Sequence, residues 1–252
     1  MKHVVLFLAI LFAGFFTVPT VAKAEGMVNR AVLERVFSIQ MGDKRGSAFT
    51  IEVEGRQYLI TARHITEPRP KDGLIQVFRE SGWLNLPYQQ ITVLPASVDI
   101  AVLALQQQLS PTSLVVTASA GQTFLSQEVF FLGYPFNLAI QGVAVNNGYP
   151  LPFVKRGIVA AFQQIGQPTG FLIVDGINNP GFSGGPVVDV RNIDRPAVIG
   201  VVSGYRFNEE PVFRGKTRTK FNVQANTGLL IAYPIERAIE AIRRKPIGFK
   251  IQ

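Results

Sequence analysis

Short apolar or alternating runs, broken every few positions by polar turns, dominate the chain. Residues 47–53, 57–61, 74–78 and 91–94 alternate with a period near two, the spacing of half-buried strands. Glu54-Gly55-Arg56 between the first two predicts a hairpin turn. Residues 100–105 are continuously apolar and predict a buried strand. The polar stretch 106–113 carries Ser110-Pro111-Thr112-Ser113 and predicts a linker between two lobes. A second series of predicted strands then follows at 128–132, 142–145, 156–162, 171–174, 186–188 and 197–202. Many short strands with frequent Gly and Pro predict sandwiches or barrels, and the interruption predicts two of them. Helical spacing is clearest near the end, where Ile235, Ala238, Ile239 and Ile242 share one face. Pro234 suits the first turn of that helix, the cations Arg243, Arg244 and Lys245 suit its last, and Pro246 stops it.

The first residues change the picture of where the chain works. Lys2 and His3 precede an apolar run over 4–16, and Ala22-Lys23-Ala24 forms a small-x-small cleavage site. Residues 1–24 therefore read as a secretory signal peptide, and the mature chain is expected in the periplasm or secreted. The run falls short of the ~20 apolar residues that span a bilayer, so stable membrane insertion is not expected. An uncleaved anchor is the alternative.

Composition narrows the chemistry. A hydrophobic fraction of 47% with only 17% charged residues describes a packed globular protein, not a disordered one. With no cysteine, thiol chemistry is excluded and core packing must hold the fold without disulfides. The net charge of +8 includes Lys2 and Lys23 of the leader and calls for no nucleic-acid partner. Arg214, Lys216, Arg218 and Lys220 are basic at every second position, so an extended strand would present them on one face to an anionic partner, or simply to water. His3 and His64 are the only histidines, so a His-rich metal site is not expected, and no cofactor is.

Residues 179–186 read Asn-Pro-Gly-Phe-Ser-Gly-Gly-Pro. Glycines around Ser183 leave its hydroxyl open and let a substrate backbone come close. A serine alcohol is nevertheless a weak nucleophile at neutral pH, and it needs a base with a third group to orient that base. His64, the one histidine outside the leader, follows the apolar run 57–61, and Asp99 stands at the mouth of the run 100–105. Alone, each has an ordinary structural reading, as a satisfied histidine and a turn or cap aspartate. Together the order His64, Asp99, Ser183 is one of the three triad orders that recur on unrelated folds. Gly181-Phe182-Ser183-Gly184-Gly185 also fits a hydrolase nucleophile elbow, but that fold places its histidine after the serine and none follows here. A subtilisin-like order through Asp43 needs a scaffold of alternating helices, which the pattern lacks.

Three blocks resemble the signatures of the chymotrypsin-like (trypsin-like) serine peptidases: Thr61-Ala62-Arg63-His64, residues 99–103 and residues 181–186. Gly46-Ser47-Ala48-Phe49, Gly133-Tyr134-Pro135, residues 156–159 and residues 231–235 extend the likeness, which is greatest to the bacterial high-temperature-requirement proteases. The resemblance implies an all-β fold of two six-stranded antiparallel barrels, over about residues 30–107 and 120–233, with a short C-terminal helix over about 234–245. It implies a serine endopeptidase acting on polypeptide, with Ser183 as nucleophile, His64 as general base and acid, and Asp99 as orienter. The amides of Gly181 and Ser183 would form the oxyanion hole. Ile177 and Asn178 would line the specificity pocket opposite Ser203, Gly204 and Tyr205, and without an acid at its base an apolar or small residue is expected there. Many secreted relatives carry an aspartate before the serine, which pairs with a freed amino terminus; this chain has Phe182 and cannot use that switch. A catalytically silent protease fold serving as a binding or scaffold protein is the alternative.

Overall fold

The structure is a computed structural model that describes residues 27–68, 70–80, 82–112, 116–119, 121, 123–138, 146–163 and 170–251. The expected signal peptide at 1–24, the strand at 142–145 and the end of the linker at Ser113 lie outside the described residues. No helix among the described residues is long and apolar enough to cross a membrane.

Six strands form the first lobe: β1 (Val36–Met41), β2 (Lys44–Val53), β3 (Arg56–Thr61), β4 (Asp72–Arg79), β5 (Gly82–Ile91) and β6 (Ala101–Leu105). Their order is β3-β2-β1-β4-β5-β6, and β6 pairs back onto β3, so the sheet closes into a ring. Closure leaves these six strands no free lateral edge. Inward positions such as Phe37, Ile39, Leu59, Ile75, Val77 and Leu103 fill the interior and are fully buried.

The second lobe repeats the plan with β8 (Glu128–Gly133), β9 (Phe153–Gln163), β10 (Phe171–Asp175), β11 (Pro186–Asp189), β12 (Ala197–Arg214) and β13 (Thr217–Pro234). Here β11 pairs with both β8 and β12, which closes the ring. A two-residue strand, β7 (Thr117–Ala118), lies parallel to β12. At the other end β14 (Phe249–Lys250) returns to the first lobe and pairs with β3. A core of Val36, Phe49, Ile60 and Val102 from one lobe, Leu132, Val188 and Val201 from the other, Ile235 just before the final helix, and Ala238 and Ile242 within it welds the two rings together.

Two short helices, α1 (Arg30–Leu33) and α2 (Arg63–Thr66), and the final helix α3 (Glu236–Arg244) complete the chain. Pro234 does not open α3, as its sequence position suggests, but ends β13. The Ile235 amide still reaches back to the Ile199 carbonyl at 3.1 Å, so the chain leaves the sheet only after residue 235. The strand expected at 91–94 lies upstream, over 82–91, where Leu86, Tyr88 and Ile91 are the buried positions. Beyond Tyr205, β12 and β13 continue as a long two-stranded arm that ends in a turn at Gly215. That turn overturns the expected single basic face. Arg214 pairs with Thr217 and Phe213 with Arg218, so Arg214 lies on the face opposite Arg218 and Lys220, and Lys216 sits in the turn.

Candidate active site

His64 is carried by α2, a single helical turn that follows directly from β3. The buried Ile65 pins the turn to the first lobe, and the Lys44 ammonium donates to the carbonyls of His64 and Glu67, at 2.5 Å each, near its C-terminal end. The segment before β6 delivers Asp99, clamped between Val98 and Ile100, which are both buried. One carboxylate oxygen of Asp99 accepts the His64 amide at 2.9 Å and the other contacts the ring Nδ1 at 2.8 Å. A carboxylate can only accept, so Nδ1 carries the proton in the neutral ring and Nε2 presents its lone pair.

Burial pushes the Asp99 carboxyl up, but the hydrogen bonds and charge of His64 and a hydrogen bond from Ser203 outweigh it and hold the pKa below the usual aspartate value. Asp99 is therefore ionised at neutral pH. The imidazole itself is half exposed, with 49% of its side chain open against 20% for Asp99. The ring is thus within reach of solvent.

Ser183 lies in the turn before β11, in the cleft where the lobes meet. Its carbonyl accepts the amide of Ser47, on β2 of the other lobe, at 2.8 Å. The Ser47 hydroxyl donates to the Gly181 carbonyl at 2.7 Å and accepts the Tyr134 amide at 3.0 Å. Gly184 has φ +84, and a Cβ there would stand 2.1 Å from the Ser47 carbonyl oxygen. At Gly181, φ is +106 and a Cβ would stand 2.2 Å from the Tyr134 carbonyl oxygen. Only glycine fits either position.

The Pro180 carbonyl accepts the Phe136 amide at 2.8 Å. Because the C=O and N–H of a trans peptide point to opposite sides, this bond turns the Gly181 amide away from the turn at Pro135–Asn137. Among the described residues, the amides of Gly181 and Ser183 have no acceptor, unlike those of Phe182, Gly184 and Gly185. Two neighbouring unpaired donors beside a serine hydroxyl suit an incoming oxyanion.

The Ser183 hydroxyl donates to the Ser203 carbonyl at 2.9 Å, and no hydrogen bond joins it to His64. Ser203 in turn donates its own hydroxyl to Asp99 at 2.5 Å. A residue expected only as pocket wall thus touches both Asp99 and Ser183. Its neighbours Gly204 and Tyr205 pair with Ile231 and Leu230 of β13, while the pairing of β12 with β11 stops at Val201. Among the described residues no strand pairs with the opposite edge of Ser203 to Tyr205, where the Ser183 hydroxyl reaches the Ser203 carbonyl, and a Cβ on Gly204 would meet open space. On the facing segment Asn178 is buried, its carbonyl accepting Asn226 Nδ2 at 2.5 Å, whereas Ile177 is 59% exposed and so does not close a pocket floor. Among the described residues no group of three or more His, Cys, Asp or Glu is placed to hold a metal ion.

Several solved structures share this architecture. An HtrA-type protease, AlgW, solved with a tripeptide, superposes with a TM-score of 0.54 at 23% identity over 87% of this chain. The serine endoprotease from Yersinia pestis gives 0.55 at 20% identity over 86%. An inactive form of Rv3671c from M. tuberculosis H37Rv, a serine-to-alanine mutant, gives 0.51 at 18% identity over 85% of this chain and 87% of its own. The chain spans 64% of the length of each of the first two. At these identities the likeness establishes a chymotrypsin fold and no more. No curated protein gives a significant sequence match. The model of the trypsin-like peptidase domain matches residues 46–201, more than half of the sequence and inclusive of His64, Asp99 and Ser183, and the chain therefore belongs to the trypsin-like peptidase domain family.

Proposed function

We propose that the chain is an exported serine endopeptidase that hydrolyses polypeptides through an acyl-enzyme on Ser183. The observation that carries this reading is the linkage of Asp99 to His64 by two hydrogen bonds, beside a serine whose own amide and that of Gly181 have no acceptor among the described residues. Substrate adds as an extended strand along the opposite edge of Ser203 to Tyr205, with an apolar or small side chain before the scissile bond. Rotation about the Ser183 Cα–Cβ bond moves the hydroxyl from the Ser203 carbonyl to Nε2 of His64. Nε2 takes the proton as Oγ bonds to the scissile carbonyl carbon. The amides of Gly181 and Ser183 receive the developing oxyanion, a contribution of roughly 2.7–4 kcal/mol per donor. The imidazolium, stabilised by ionised Asp99, protonates the departing amine. Water activated by His64 then cleaves the acyl ester and returns the proton to Ser183.

Cleavage of an unfolded polypeptide such as casein by the purified protein, abolished by Ser183→Ala, tests this directly. A serine-directed phosphonate should label the wild type at Ser183 and leave the variant untouched. The bond from Ser183 to Ser203, in place of one to His64, favours the alternative of a silent protease-fold binding protein. Absence of both hydrolysis and labelling in the wild type decides for that alternative.

A further inference from the structure

Phe182, in place of a charged residue before Ser183, is fully buried and meets Phe131 edge-on, with ring centroids 5.2 Å apart and planes at 68°. Over this pair lies the ammonium of Lys155, on β9, 5.9 Å from the centroid of Phe131 and 5.7 Å from that of Phe182. The cross-strand register explains the placement, since Lys155 stands directly opposite Phe131. The same ammonium donates to the Ile177 carbonyl and, at 2.9 Å, to Oδ1 of Asn179. One cation therefore touches the segment before the serine at residues 177, 179 and 182.

We infer that Lys155 is the positioning residue that holds Ile177 to Phe182 in the shape that leaves the Gly181 and Ser183 amides without an acceptor among the described residues. An internal cation over an aromatic ring takes the place of a freed amino terminus paired with an aspartate. An ammonium has three donors, and two are spent on oxygens of this segment while its positive charge faces the rings. Other ties on the segment are Gly176 N–H to the Gly228 carbonyl at 2.7 Å, Asn226 to the Asn178 carbonyl, Phe182 N–H to the Asn179 carbonyl at 3.2 Å, Phe136 N–H to the Pro180 carbonyl and the Ser47 hydroxyl to the Gly181 carbonyl; among the described residues only Lys155 reaches the Ile177 carbonyl and the Asn179 side chain. Removing Lys155 leaves the Ile177 carbonyl and the Asn179 side chain without their donor and the aromatic pair without its cation. Desolvation lowers the Lys155 pKa, as befits an amine drawn partly out of water to make these contacts. The constraint is built into the chain and requires no proteolytic activation.

The catalytic consequence rests on the peptidase reading, whereas the positioning does not, so two measurements separate them. Lys155→Met keeps the stem and removes the charge; Lys155→Arg keeps a cation. Hydrogen exchange over residues 176–183 should accelerate about tenfold or more in Lys155→Met, with β1 to β3 unchanged. On a small peptide ester, kcat should fall by roughly ten- to a hundredfold with KM nearly constant, and Lys155→Arg should recover part of the loss. Lys155→Gln, whose polar end suits the same surroundings, serves if the methionine variant does not fold and must show the same acceleration. Unchanged exchange over 176–183 in a folded neutral variant overturns the inference whether or not the wild type is active. An inert wild type with faster exchange in Lys155→Met overturns the peptidase reading and supports the positioning role. An active wild type whose neutral variants exchange faster but keep full kcat overturns the link from Lys155 to the oxyanion donors.

Discussion

The Ser203 hydroxyl donates to Asp99 at 2.5 Å while the carbonyl of the same residue accepts the Ser183 hydroxyl at 2.9 Å. A single residue of β12 thus contacts both ends of the proposed catalytic array. Ser203→Ala should separate its two contacts, because the carbonyl survives and the hydroxyl does not. A hydrogen bond to a charged group is worth about 1.5–3 kcal/mol, so kcat should fall roughly tenfold or more with KM little changed. The Asp99 pKa should rise toward its ordinary value, which an NMR titration of its side-chain carboxyl reads directly.

Asp99→Asn is expected to lower kcat by about 10³- to 10⁴-fold, since an amide in that place no longer fixes the ring proton on Nδ1 or balances the imidazolium. Ester hydrolysis measured beside casein cleavage checks this.

Stability should carry the same signature. The Asp99 pKa lies below its ordinary value of 3.8, so its stabilising contribution is fully present above that value and is lost as pH falls through the depressed one. Urea unfolding of wild type and Asp99→Asn should show a difference that is present at about pH 5 and shrinks as pH falls below about pH 4.

Ser47→Ala removes the hydroxyl that the Gly181 carbonyl and the Tyr134 amide share, 134 and 87 residues away in sequence. Two partly or fully buried polar groups lose their partner, at about 1–3 kcal/mol. Denaturant titration should report that loss, and phosphonate labelling should slow because the Gly181 peptide loses a tether.

Gly184→Ala forces a side chain into a left-handed backbone and against the Ser47 carbonyl oxygen. The folded protein should lose more than about 2 kcal/mol and its labelling at Ser183, as unfolding and labelling assays can show.

The alternation of apolar positions and the order of three motifs were enough to place β2, β3, β6 and most of the second lobe, and to single out His64, Asp99 and Ser183. Those signals are local: a strand declares its period within a few residues, and a glycine-flanked serine declares its exposure. The arm formed by β12 and β13 left no such mark, because Phe207, Phe213, Phe221 and Val223 are exposed on a ribbon with no buried face to impose a pattern. β1 is defined by its pairing with β2 and β4.

Sequence alone also determined that Phe182 cannot pair with a freed amino terminus, but not what stands in for that pair. Only the tertiary structure decided this, by setting Lys155 opposite Phe131 and so over Phe182. Ser203 reaches Asp99 across 104 residues and Ser47 reaches Gly181 across 134. Contacts of that span depend on how two closed rings meet, and ring closure is a property of strand pairing along the whole chain, not of any stretch within it.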